Sequence, residues 1–133
     1  MHIVLRIIGL PVPKGRPRSF RVGGFLGHYT PKRTAEWEKY VRLQARQQYK
    51  QAPLDCPIKI EVEFYLPRPK SLPKKYVYHA KKPDLDNLNK AILDSLEGII
   101  YTNDSRICQI VSRKNYASSR SEVGVVIRIT AVT

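Results

Sequence analysis

Cysteine is scarce in this 133-residue chain: Cys56 and Cys108 are the only two, with no Cys-x-x-Cys pair. A disulfide framework is therefore not encoded, and a reduced cytosolic chain is the expectation. Long apolar runs are missing as well. Nothing approaches the roughly 20 consecutive apolar residues of a membrane helix, which argues against a spanning protein. The N-terminal apolar stretch HIVLRII has no basic region before it and no small-residue cleavage site after it, so a secretion signal is not expected. Acidic residues are few, 11 against 24 Lys plus Arg, giving a formal charge of +13. With 42% hydrophobic residues the chain has material for a core, which excludes a wholly disordered basic tail. The length fits a single domain over residues 1–133 and is short for two.

What is present is unevenly placed. Residues 1–50 hold 11 basic and 2 acidic groups, and residues 51–83 hold 7 and 3. Residues 84–104 reverse the balance, with 1 basic and 5 acidic groups, before 105–133 return to 5 and 1. A charge of +13 alone fits an architectural nucleic-acid binder. The acidic island does not, because clustered carboxylates repel one another unless cations fill the site. An acidic focus inside a cationic protein suits a metal-dependent enzyme acting on a polyanion.

Hydropathy and punctuation predict the order β, flap, α, β, loop, α, β, β: an α/β domain with a mixed β-sheet and two main helices. Residues 2–8 read as a strand. The segment PVPKGRPRSF is Pro- and Gly-punctuated and basic, carrying Lys14, Arg16 and Arg18, with Arg21 just beyond. Phe20, Val22 and Phe25 around Gly23-Gly24 predict a hairpin or flap. Thr30 and Pro31 read as N-cap and first position of a helix reaching about Tyr49, with Trp37, Val41, Ala45 and Gln48 on one face. Alternation from Ile58 to Leu66 predicts a half-buried strand. Residues 67–83 form a basic, Pro-rich loop with Lys70, Lys74, Lys75, Lys81 and Lys82, and with Tyr76 and Tyr78. A second helix is expected from near Asp86, with Leu88, Ile92, Leu96 and Ile99 as its stripe and Gly98 as its stop. Two further strands, one around Cys108–Arg113 and one around Val123–Ala131, are expected to form a C-terminal antiparallel hairpin turning at residues 118–122.

The chemistry concentrates in Lys82-Pro83-Asp84-Leu85-Asp86-Asn87-Leu88-Asn89-Lys90. In an extended Asp-x-Asp both carboxylates point to one side and can face one cation. Asp86 is expected at the helix N-terminus, where the dipole favours an anion. Lys90 follows one turn later on the same face, with Asp94 and Glu97 beyond. His2, His28 and His79 are isolated, so oxygen ligands point to Mg²⁺ or Mn²⁺ in place of zinc. Each feature also has a plain reading: a helix cap and a turn residue for the two aspartates, and an Asp86–Lys90 helix pair for the lysine. Asp104, in Tyr101-Thr102-Asn103-Asp104, equally suits an ordinary turn. It sits beyond the far end of the second helix, about 18 Å from Asp86 along a straight axis. It reaches the same site only if the chain folds back after Gly98.

Residues 83–111, PDLDNLNKAILDSLEGIIYTNDSRICQIV, resemble the core signature of the RusA family of Holliday-junction resolvases. That signature is an Asp-Leu-Asp-Asn-Leu-x-Lys run, a helix containing Asp, then an aromatic-containing loop ending in Asp before a strand. PVPKGRPR followed by Tyr29-Thr30-Pro31 is similar to many phage and prophage members. The resemblance spans most of the chain and implies a small Mg²⁺-dependent endonuclease, with Mn²⁺ able to substitute. It implies a homodimer that resolves four-way DNA junctions by paired symmetric nicks, in DNA recombination and repair. By position it implies Asp84, Asp86 and Asp104 as metal-binding carboxylates and Lys90 as the essential basic residue, in a cytoplasmic bacterial, prophage or phage setting. Many members carry paired acids where this chain has Asn103-Asp104, and the 67–82 loop is longer than in the shortest members. Lys14, Arg16, Arg18, Arg21, Lys74, Lys75, Lys81 and Lys82 are the expected DNA contacts. Phe20, Phe25, Tyr76 and Tyr78 are available to stack on unpaired bases, or to pack locally. The rival classes are a non-catalytic DNA-junction binder, which would use the acids as helix caps, and an RNA-binding protein, which gives the acidic island no role.

Overall fold

The computed structural model describes residues 2–132. Its elements follow the expected order: β1 (His2–Ile8), β2 (Arg18–Val22), β3 (Phe25–Tyr29), α1 (Lys32–Gln48), β4 (Ile58–Leu66), α2 (Leu85–Leu96), β5 (Ile107–Tyr116) and β6 (Gly124–Ala131). Short 3-10 turns at Asp104–Arg106 and Arg120–Glu122 precede the last two strands.

Four strands make one mixed sheet in the order β1-β6-β4-β5. β6 lies antiparallel to both β1 and β4, while β4 and β5 run parallel. The expected C-terminal hairpin therefore does not form: β4 is inserted between β5 and β6. The cause lies in the connections. α2 returns the chain so that β5 restarts in the direction of β4, as a parallel pair requires. Residues 117–123 then cross the end of β4, where Ala117 N–H donates to Leu66 O at 2.7 Å. Gly124 opens β6 at φ +155°, and a Cβ there would stand 2.2 Å from the Ile7 carbonyl oxygen. Only glycine permits that approach.

Alternation in β4 buries Ile58, Ile60, Val62, Phe64 and Leu66. They share one core with Leu5 and Ile7 of β1, Ile127 and Ile129 of β6, and the apolar faces of both helices: Trp37, Val41 and Ala45 from α1, and Leu88, Ala91, Ile92 and Leu96 from α2. Both helices thus cover one face of the sheet. The opposite face carries ion pairs such as Lys59–Glu61 and Arg113–Glu63. Ile100 and Tyr101, beyond the predicted helix stripe, are also fully buried.

Two helix starts shift by a residue. Pro31 occupies the cap position of α1, and Thr30 does not cap it. Thr34, inside the first turn, is buried instead; its hydroxyl accepts from Gly15 N–H at 3.0 Å and donates to Pro13 O at 3.1 Å. This pins the basic arm (residues 10–17) onto the start of α1. The β2–β3 flap forms as expected, turning at Gly23-Gly24, both with positive φ.

Candidate active site

α2 begins at Leu85, with Asp84 as its N-cap residue in an extended conformation and Asp86 in the first turn. This corrects the extended Asp-x-Asp expectation, because the chain passes from extended to helical between the two aspartates. Asp84 makes no side-chain capping bond. One Asp86 carboxylate oxygen accepts from Asn87 N–H at 2.9 Å. Both side chains are exposed, and neither forms an ion pair among the described residues. Two uncompensated carboxylates therefore stand at the positive end of a helix dipole, where anions are stabilised.

Lys90 lies one turn along, 64% exposed, with its ammonium 4.0 Å from Asp94 and not paired with Asp86. Asp94 is shared: its other close cation is Lys14 Nζ at 3.2 Å, which also donates to Glu38 Oε2 at 2.8 Å. Lys14 differs here from the other basic residues of the arm. Its side chain is only 16% exposed and its ammonium is committed to two carboxylates, so it fastens the arm to both helices and is not free to meet a phosphate. Its backbone N–H also donates to Asn87 O at 2.8 Å, in the turn that follows Asp86. Burial alone lowers the Lys14 pKa, but hydrogen bonds to Glu38 and Asp94, reinforced by their charges, outweigh it and raise the pKa above the ordinary lysine value.

The chain does turn back after Gly98. Gly98 N–H donates to Tyr101 O, and the Tyr101 hydroxyl reaches back to Leu93 O in α2. Burial, and then the charges of Glu97, Asp104 and Asp94, push the Tyr101 pKa well above the ordinary phenol value. Asp104 nonetheless stays at the C-terminal end of α2. Asn103 beside it donates to Glu97 Oε1 at 3.3 Å. β5 then runs back along α2, with Ser112 donating to Asn89 and Lys114 Nζ donating to Lys81 O and Pro83 O. Asp104 and Asp84 thus lie at opposite ends of a 12-residue helix, about 18 Å long. Among the described residues no three Asp, Glu, His or Cys side chains converge on a metal position. Among the described residues Asp104 therefore stands apart from Asp84 and Asp86.

Asp104 is held firmly. Asp55 Oδ1 accepts from the Thr102 hydroxyl at 2.7 Å and from Arg106 Nε at 2.8 Å, bracketing the turn. Those two hydrogen bonds and the Arg106 charge lower the Asp55 pKa. Asp104 itself is exposed, with no ion-pair partner among the described residues.

Arg16, Arg18, Arg21, Lys74, Lys75, Lys81 and Lys82 are exposed and form no ion pairs among the described residues, and Lys74 lines a cavity with residues 117–120, away from the head of α2. Lys81 and Lys82 directly precede Pro83, across a cis Lys82–Pro83 bond. On the flap, the Phe20 ring lies 6.3 Å from Phe25 and 6.2 Å from Tyr29, so these exposed aromatics cluster with one another. Tyr76 and Tyr78 are exposed on the 67–83 loop, Tyr78 bridging to Asn115 of β5. Sequence reading passed over Glu38, Arg33 and Lys114. A usable signal existed for Glu38, one of only two acids in the first fifty residues and adjacent to the core residue Trp37.

A family model described as endodeoxyribonuclease RusA matches residues 9–130. Among curated proteins, the chain is 31% identical to a Bacillus subtilis (strain 168) protein named YqaN and described as uncharacterized, covering 95% of each chain. It is 29% identical to the crossover junction endodeoxyribonuclease RusA of Aquifex aeolicus (strain VF5), over 96% of this chain and 90% of that one. With the signature acids on and after α2 and the matched span covering nearly all of the fold, the chain belongs to the RusA endodeoxyribonuclease family.

Proposed function

We propose that this protein is a Mg²⁺-dependent endonuclease that resolves four-way DNA junctions by paired symmetric nicks, acting as a homodimer in recombination and repair. The observation that carries the reading is the pair of exposed, unneutralised carboxylates, Asp84 and Asp86, at the head of α2 in a strongly basic protein. Hard oxygen donors of this kind suit Mg²⁺, with Mn²⁺ as a substitute. When bound, the ion supplies water activation and stabilises the phosphate and the leaving 3′ oxygen, which yields 5′-phosphate and 3′-hydroxyl ends. Lys90 offsets negative charge developing on the phosphate or orients it.

Asp104 completes the site from a second copy. β5 is an edge strand, and residues 77–79 cover only its C-terminal part, through His79 N–H to Lys114 O and Tyr116 N–H to Val77 O. Among the described residues its first half has no strand partner on that side, and Ile110 there is 46% exposed. An open edge is a template for pairing with another chain. Antiparallel pairing of two such edges about a two-fold axis near Ile110 carries the partner's Asp104 toward the Lys114 end of β5. Lys114 is bonded to Pro83 O, next to Asp84. A two-fold dimer then offers two equivalent sites to two strands of like polarity, as paired nicking needs.

The test is incubation of a synthetic four-way junction with and without Mg²⁺, with the cut positions resolved on each strand. Symmetric cuts in Mg²⁺ and none in EDTA are expected. Binding without cutting in either condition would leave a non-catalytic junction binder, and preference for structured RNA in competition would favour an RNA-binding role.

A further inference from the structure

Three cavities adjoin along the arm, the first two against the 67–83 loop and the third against the start of α1. The first, about 420 Å³, borders Asp84 and is lined by Pro13, Lys14, Lys82, Pro83 and Asn87. The second, about 280 Å³, shares Pro13, Lys82 and Pro83 with the first and adds Arg33 and His79. The third, about 460 Å³, shares Pro13 and Arg33 with the second and ends at Arg16 and Arg18. The shared walls make them one trough leading away from Asp84.

The lining has a consistent chemistry. Asp84, at one end, is the sole carboxylate among the lining residues. Pro11, Pro13, Pro17, Pro31, Pro67 and Pro83 stiffen the walls and offer no N–H groups. Lys82, Arg33, Arg16 and Arg18 follow one another along it, exposed and without ion pairs among the described residues. Unpaired cations along one trough raise its potential for a polyanion. Arg33 lies at the midpoint, lining two of the three cavities. Its backbone is fixed because the next residue, Thr34, is the one that clamps the arm to α1. Lys32, its neighbour on the other side, lines none of the three cavities and leans toward Glu36 at 3.9 Å, 90% exposed.

We propose that this trough is the track for the phosphate backbone of one DNA strand leaving the cleavage site, and that Arg33 is the phosphate contact midway along it. The inference rests on the junction-endonuclease reading above and extends it to a residue outside the acidic signature. A guanidinium there can grip a phosphate with two parallel N–H donors, which a lysine cannot.

The experiment compares Arg33→Ala with Lys32→Ala, identical in charge change and adjacent in sequence. Junction binding is measured in EDTA across a salt series, so that cutting does not intervene. Loss of one phosphate contact should flatten the slope of log K against log salt by about 0.7–0.9 in Arg33→Ala and leave it unchanged in Lys32→Ala. Single methylphosphonate substitutions along each strand then place the contact. One neutralised phosphate to one side of the cut should weaken the wild type and Lys32→Ala, yet have no further effect on Arg33→Ala. Arg33→Lys should recover the slope and only part of the affinity. Matching slopes and matching methylphosphonate profiles for the two alanine variants, with both folded by circular dichroism, would overturn the proposal while wild-type cutting left the enzymatic reading standing. A wild type that binds the junction with the Arg33 signature but never cuts in Mg²⁺ would uphold the track and overturn the enzyme.

Discussion

Lys14 Nζ stands 2.8 Å from Glu38 and 3.2 Å from Asp94, so one lysine of the arm ties α1 to α2. The same Asp94 faces Lys90, the candidate catalytic cation. The arm that presents Arg16 and Arg18 and the helix that presents Asp86 and Lys90 are thereby joined through a single group of four charges.

Removing the central charge should be felt in folding. Lys14→Met leaves Glu38, nearly buried, without its cation, and a loss of about 2 kcal/mol is expected, below the 3–5 kcal/mol of a fully buried broken pair because Asp94 remains partly solvated. The sign of the pH effect follows from the raised pKa of Lys14. The pair stabilises fully below the unfolded lysine value of 10.5 and loses its contribution as pH rises through the higher folded value. Urea titrations should show a constant gap between wild type and variant from pH 7 to 9, closing only in strong alkali. A gap that changes between pH 7 and 9 would point to another titrating group.

Asp94→Asn tests the link to Lys90. The variant keeps the side-chain shape but weakens the hold on both lysines. Cleavage under saturating junction should fall by roughly tenfold, or about 1.4 kcal/mol in the barrier, with binding in EDTA unchanged or tighter. Asp94→Glu should restore part of the rate. Equal losses in binding and in rate would mean that the network serves the fold alone.

Asp104 can be assigned by mixing. Asp84→Asn and Asp104→Asn should each fold, since neither carboxylate has an ion-pair partner among the described residues, and each should lose cleavage by orders of magnitude. If the site is shared as proposed, a mixed dimer would hold one site that combines an intact Asp84 with an intact Asp104 from the partner. Mixing the two inactive variants should therefore regain nicking on one strand. No recovery after verified subunit exchange would place all three carboxylates in one chain.

Ile110→Asp probes the edge of β5. The side chain is half exposed, so stability should change little. In the proposed dimer a charge at the two-fold axis would oppose its own copy, and light scattering should give a monomeric mass at concentrations where the wild type gives the proposed dimer. Paired cutting should be lost in parallel. A variant that stays dimeric and active would move the interface elsewhere.

Local periodicity carried much of this architecture. The alternation from Ile58 to Leu66 and the stripe Leu88, Ile92, Leu96 each report one element's buried face, and both emerged as read. The signature acids were also legible, because a carboxylate excess in a basic chain shows without knowledge of the fold. Pairing between distant segments was not. Residues 118–122 look like a hairpin turn whether β6 joins β5 or crosses to the far side of β4, and only the return direction of α2 decides. Lys14 reads like Arg16 and Arg18 in sequence, yet packing sets it between Glu38 and Asp94 while the arginines stay in solvent. Asp104 follows α2 by only a few residues, but β5 must run the length of that helix before returning to Asp84. Sequence determined which side chains the chemistry has to draw on; tertiary structure decided which of them one chain can bring together, because that depends on the path of the backbone between them.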